Sequence, residues 1–440
     1  MHSDPRPPAR RRSRAVAVTL ALATTLFAAG AVLIEPLAPD TDSRPEAAAS
    51  RPVSTTAALA ARLRRLPGDW NTWSALGMAH IEQARTTGDP ALHAKAEKAL
   101  RRSLALQARG NSGAETGMAA LAAARHDFAT ARTWADKAVT SDPYASAAFG
   151  VLADAHTQLG HYREAEQAVQ KMNDLRPDAA SLARASYVFE LRGDTGRAAE
   201  LMRRSLTAAT TDSGHAFARA CLSSLALEDG NADLALKEAG QGLRRAPNDP
   251  ALLDAQARAH AALGHAEQAL ATWQRAADIA PLPHLLLALG EMHQSLGHDE
   301  EAKAPYALLK AQDTLRAAAG TPPDTDAILF EADHGSPERA VTMAEQALRT
   351  RPFVAVHDAY AWALHRAGRD REALEQADRA LAQGTASPLW HYHRAAIHHA
   401  LGNRQAAARD LDVALTPAPA LHPLHAAQAR ALLERIGTRP

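Results

Sequence analysis

A glycine followed five residues later by an alanine recurs through most of this chain. The glycines are Gly160, Gly193, Gly230, Gly264, Gly297, Gly335, Gly368 and Gly402, separated by 33, 37, 34, 33, 38, 33 and 34 residues. Two degenerate units precede them, one with a longer turn around Gly88 and one with Arg125 in place of the turn glycine. A period of this length constrains the fold more than any bulk property. Each unit is a supersecondary element that cannot bury its apolar face alone, so the 440 residues build a stacked array and not two or three globular domains.

With the turn glycine at position 15, position 20 is alanine in all ten units: Ala96, Ala131, Ala165, Ala198, Ala235, Ala269, Ala302, Ala340, Ala373 and Ala407. Two helices of a hairpin approach closely only where the side chain at their crossing is a methyl group or less. Position 8, its partner across the crossing, is Gly, Ala or Ser in nine units, with Ile328 the exception. Position 32 is proline at Pro143, Pro177, Pro247, Pro281 and Pro352, where the ring cannot continue a helix.

This pattern resembles the tetratricopeptide repeat (TPR), a helix-turn-helix unit of about 34 residues. The resemblance implies an all-α, TPR-type α-solenoid, a right-handed superhelix whose concave groove takes peptides or partner helices. Position 7 departs from the family at Gln256 and Arg394. The two long gaps place loops at Thr207–His215 and Gln312–Asp324, and the second is expected to be a hinge. The Lys and Asn set by which some members clamp a C-terminal carboxylate is absent. The stretch "ARLRRLPGDWNTWSALGMAH" is similar to the repeat domains of bacterial cytochrome c maturation factors, which suggests envelope assembly or maturation.

The array occupies residues 70–416, with capping helices expected at 57–69 and 417–440 because terminal repeats otherwise leave apolar faces in water. Ahead of it, residues 1–14 carry Arg10, Arg11, Arg12 and Arg14, residues 15–34 are uncharged and apolar, and residues 35–56 form a flexible linker. A basic cluster before twenty apolar residues reads as a membrane anchor or signal peptide, placing the repeats outside the cytoplasm. The alternative is a secreted chain cleaved after the small residues of "FAAGA".

Lys plus Arg equals Asp plus Glu at 49 each, so no basic surface for nucleic acid is expected. The single cysteine, Cys221, has no disulfide partner in the chain. No phosphate loop, Gly-x-Ser-x-Gly elbow or His-Glu-x-x-His helix occurs, so neither an enzyme nor a cofactor is expected. Of twenty-one histidines, nine fall at repeat positions 11 and 16. His357, His365, His391, His393, His399, His422 and His425 cluster late. That cluster motivates an alternative reading, a metal-handling accessory protein, against a reading with no metal site.

The expected function is a scaffold that binds a protein or peptide partner. Helix A positions facing the groove nominate Arg184, Tyr187, Phe217, Asp254, Arg258, Glu291, Asp358, Trp362, Tyr392 and His393 as partner-binding residues, since aromatic and arginine side chains anchor interfaces. The other groove positions are mostly Ala, Gly and Ser, so the groove is expected to be roomy. The intact mass of membrane-extracted protein checks the anchor. Retention of residues 1–34 is expected, whereas a chain beginning near Ala31 assigns a secreted protein.

Overall fold

The computed structural model describes residues 55–87, 89, 91–318, 320–416 and 422–437. The basic and apolar stretches at 1–14 and 15–34, and nearly all of the linker, lie outside the described residues. Those described form twenty-two α-helices. After α1 (Thr55–Arg65), repeats 1 to 5 pair α2 (Trp70–Thr87) with α3 (Ala91–Leu106), α4 (Ser112–Ala124) with α5 (Phe128–Ser141), α6 (Ser146–Gln158) with α7 (Tyr162–Leu175), α8 (Ala179–Leu191) with α9 (Thr195–Ala208), and α10 (Asp212–Glu228) with α11 (Ala232–Leu243). Repeats 6 to 10 pair α12 (Pro250–Ala262) with α13 (Ala266–Ile279), α14 (Pro283–Ser295) with α15 (Asp299–Ala318), α16 (Thr325–His334) with α17 (Pro337–Thr350), α18 (Val354–Arg366) with α19 (Asp370–Ala380), and α20 (Pro388–Ala400) with α21 (Arg404–Leu415). A last helix, α22 (His425–Gly437), follows them. The fold is an all-α solenoid of TPR-type hairpins.

Each hairpin is punctuated locally. Helix A ends at a residue with left-handed backbone, such as Gly160 (φ +72°) or Gly402 (φ +78°), and helix B often begins at a side-chain cap. Asp127, Asp194 and Asn231 accept from the backbone N–H of Thr130, Arg197 and Leu234, satisfying donors that have no partner inside the helix. Repeat 2 corrects the sequence reading. The residue in glycine's place is His126 (φ +60°), with Arg125 capping the preceding helix. Repeat 8 differs as well. Gly335 caps α16 with φ −131°, and Ser336 starts the next cap at once. That turn is one residue shorter, which moves the fully buried Ile328 from position 8 to the apolar position 7.

The crossing is as close as its residues allow. All ten position-20 alanines are at most 3% exposed. Ser186 and Ser223, at position 8, donate through Oγ to the carbonyls of Ala198 and Ala235 at 2.7 and 2.9 Å, so the small residue also satisfies its own hydroxyl. A Cβ on Gly77 would lie 2.5 Å from Leu100 Cγ. Arg394, the poor core residue at position 7, stays half-buried by donating two hydrogen bonds to the Asp410 carboxylate, at 2.9 and 2.7 Å.

The expected hinge is not a loop. Helix α15 continues through most of Gln312–Asp324, so that Arg316 pairs with Asp324 and Asp313 with Arg339 (3.1 Å). The first insertion lengthens α10, leaving only residues 209–211 between helices.

Early repeats touch late ones along a seam. The Tyr162 hydroxyl of repeat 3 accepts from Val354 N–H at the start of α18 at 2.9 Å, 192 residues away. Gly160 lies so close to Pro352 that a Cβ would sit 2.7 Å from its carbonyl oxygen, and Gly193 meets Gly384 in the same way. Beside them His126, Arg316, Pro323, Asp324, Thr325 and Arg351 line a cavity of about 20 Å³, room for one water. Burial pushes the His126 imidazole down to about 4, helped by Arg351 and Arg316.

The seam yields a comparison of two glycines. Gly193 (φ +74°) and Gly264 (φ +77°) share a left-handed backbone, but nothing lies within 4 Å of a Cβ built on Gly264. Gly264→Ala should cost about 1–2 kcal/mol. Gly193→Ala should cost about 1–3 kcal/mol more, through overpacking against the facing carbonyl. Urea unfolding of both variants checks this, and equal losses would mean that the seam does not form.

Candidate binding surface

The inner surface has two unlike halves. In repeats 3 to 6 polar anchors stand on successive A helices. Arg184 Nε and Nη2 donate to the two Asp154 carboxylate oxygens at 2.9 and 2.7 Å, with both side chains 11% exposed. This bidentate pair ties α6 to α8 and uses the geometry an incoming carboxylate would need. Tyr187 is half-buried against the core of the late repeats, and Phe217 rests on the cluster around Cys221 and Leu222. Nearby, Glu190 and Glu228 have no cation within ion-pairing distance among the described residues. Burial, followed by the neighbouring Glu228, pushes the Glu190 carboxyl well up. Burial and then Asp229 bring Glu228 to about 7.

Repeat 6 holds the most exposed of these anchors. Asp254 is buried and accepts from Trp273 Nε1 and Arg258 Nε, each at 2.8 Å. Burial works to raise its carboxyl, but Arg258, His284 and the Trp273 hydrogen bond hold it below the usual carboxylate range. Asp254, one helical turn away, keeps Arg258 charged and oriented. Half of the Arg258 side chain is exposed. The α12 pair is thus a fixed cation over the inner surface, with its terminal nitrogens outside the Asp254 bond.

The late half corrects the expectation of a roomy groove. Glu291, Asp358, Trp362, Tyr392 and His393 are all less than a tenth exposed and are engaged with one another or with neighbours. His393 Nδ1 lies 3.0 Å from Asp358, and its ring stacks on Trp362 at 4.3 Å between centroids and 18° between planes. Trp362 Nε1 donates to both oxygens of Asp333 at 3.0 Å. From the C-terminal segment, His422 Nε2 reaches Glu291 at 2.7 Å and His425 Nε2 reaches Asp333 at 3.6 Å. Burial would raise the Glu291 carboxyl, but His422 and His334 bring it down to about 2. Burial would lower the His425 imidazole, but Asp333 outweighs it and holds the ring above its ordinary value.

Three other late histidines pair within their own repeats. His365 pairs with Asp370 at 2.6 Å, His391 with Asp410 at 2.9 Å, and His357 with Gln376 at 2.8 Å. Among the described residues no three His, Cys, Asp or Glu side chains are grouped to hold a metal ion. Burial pushes the Cys221 thiol up and away from the reactive thiolate. Among the described residues no helix is long and apolar enough to cross a membrane, and the stretch 15–34 is not among them.

Sequence reasoning placed Asp254, Arg258 and Glu291 on the inner surface, but it missed Glu228, Asp333 and His334. The shortened turn of repeat 8 rotates α16 relative to the counted register and hid the last two. No local signal marks His422 and His425 as partners of residues about 100 positions earlier.

No family model matches the sequence, and no curated protein matches it. Solved structures do. PilW, titled a widely conserved type IV pilus biogenesis factor, is 19% identical, with a TM-score of 0.40 over 46% of this chain and 92% of that one. PilF of Pseudomonas aeruginosa is 16% identical, with a TM-score of 0.39 over 50% and 97%. The Cut9–Hcn1 hetero-tetramer of the APC/C is 14% identical, with a TM-score of 0.39 over 86% and 80%.

The docking of α22 should depend on pH. Glu291 is depressed from 4.5 to about 2, so its contribution is complete above about 4.5 and fades as acid protonates it. His425 is raised from 6.5, so its contribution is complete below about 6.5 and is lost as pH climbs through the raised value. Hydrogen-exchange protection of residues 425–437, corrected for intrinsic rates, should peak between about pH 4.5 and 6.5. Glu291→Gln should lower that peak.

Proposed function

We propose that this chain is a membrane-tethered, extracytoplasmic scaffold that binds a segment of a partner protein along its concave surface, in envelope assembly or maturation. The observation that carries this reading is the Asp254–Arg258 pair. A buried carboxylate fixes an arginine whose side chain is half exposed, and an oriented, partly desolvated arginine is a strong interface anchor. Phe217 stands on the neighbouring A helix, α10, partly buried against the cluster around Cys221 and Leu222. The arginine-rich n-region and the apolar run at 15–34 support the location.

Trp362 and Tyr392 are unsuited to testing this surface, because their removal would excavate the late core. A photo-crosslinking residue at position 258, in cells, tests the surface instead. Discrete adducts are expected there, together with about tenfold loss of capture in a Phe217→Ala, Arg258→Ala variant. The same crosslinker at the exposed Arg163 is the control. Adducts equal at the two positions, or absent from position 258, would refute the reading.

A further inference from the structure

Helix α22 does more than cover the end of the array. Capping requires only that its apolar side meet the last hairpin, and Ala426, Ala429 and Leu432 are buried in the late core to that end. The histidines at its start go elsewhere. His422 and His425, three residues apart, meet Glu291 on α14 and Asp333 on α16. The segment therefore reaches back across repeats 7 and 8 over the inner surface. Between the two carboxylates the His425 ring lies against Tyr392 and Trp362, with centroids 5.2 and 5.3 Å away. Tyr392 Oη donates to Gln428 at 2.9 Å.

The fit is incomplete. His422 Nδ1 and His393 Nε2 are buried without hydrogen-bond partners, and His393 is 1% exposed. Buried polar atoms left unpaired cost free energy. Glu291 and Asp333 are 4% and 9% exposed at the side chain; Asp333 already has Arg366 Nε at 3.3 Å, whereas Glu291 is met by the histidines His334 and His422 and still needs a lasting cation. A histidine supplies one only while protonated. Lysine or arginine would supply it at every relevant pH.

Resting on the reading of the concave surface as a docking face, we infer that repeats 7 to 10 take a partner helix. That helix sets a lysine or arginine over Glu291, where His422 stands, and a polar or cationic side chain three or four residues on over the Asp333–Arg366 pair, where His425 stands. Helix α22 occupies the same face in cis as its competitor.

The probe is a labelled peptide of residues 422–437 carrying His422→Lys and His425→Lys, titrated at pH 7.5 by fluorescence anisotropy. The receptor is the full chain, wild type or with His422→Ala and His425→Ala. The unlatched variant should bind the peptide about tenfold tighter than wild type, because the cis occupant no longer competes. Adding Glu291→Gln and Asp333→Asn should reverse the gain. Gln428→Ala, which loosens α22 without touching either carboxylate, should also tighten binding, and circular dichroism verifies that each variant keeps its helicity. Equal affinity for wild type and both loosened variants, no binding to any of them, or indifference to the carboxylate substitutions overturns the proposal. Crosslinking at position 258 reads the other half of the surface, so the two readings can fail independently.

Discussion

A methyl group at position 20 governs this molecule. Wherever helix B crosses helix A the side chain is alanine, buried in all ten repeats. In nine repeats a glycine, an alanine or a serine stands opposite it, and Ser186 and Ser223 hydrogen-bond the alanine's own carbonyl. Close approach at that point fixes the spacing of every hairpin. Small errors would accumulate along the array, because each repeat is positioned chiefly by its neighbours.

That regularity lets distant repeats meet. Turns of repeats 2 to 4 touch the junctions between repeats 7 and 10. The contacts there are backbone against backbone at Gly160 and Gly193, and hydroxyl against a helix N-terminus at Tyr162. The same glycines that relieve the turn's positive φ also leave room for the facing carbonyl. Two of them therefore serve two constraints at once, whereas Gly264, with open space around it, serves one.

Charge on the inner surface divides along the array. In repeats 3 to 6 a buried carboxylate can hold an arginine out, as Asp254 holds Arg258, or consume it, as Asp154 consumes Arg184. In repeats 7 to 10 Glu291, Asp333, Asp358 and Asp410 each meet a histidine, two of these histidines supplied by the C-terminal segment. Among the described residues the late histidines are divided over several carboxylates, His334 and His422 meeting Glu291, and His391 and His398 meeting Asp410.

By itself the sequence determined the helical class, the ten units and the alanine crossings, because these depend on residues within one 34-residue period. It also located the Asp254–Arg258 turn, an i,i+4 relation on one helix. Only the tertiary structure decided the seam between early and late repeats, the one-residue slip at Gly335 and the passage of His422 and His425 over the inner surface. Apart from the local slip at Gly335, those contacts join residues about 90 or more positions apart. Such pairs leave no periodic trace, since their geometry is the sum of all the hairpin rotations between them.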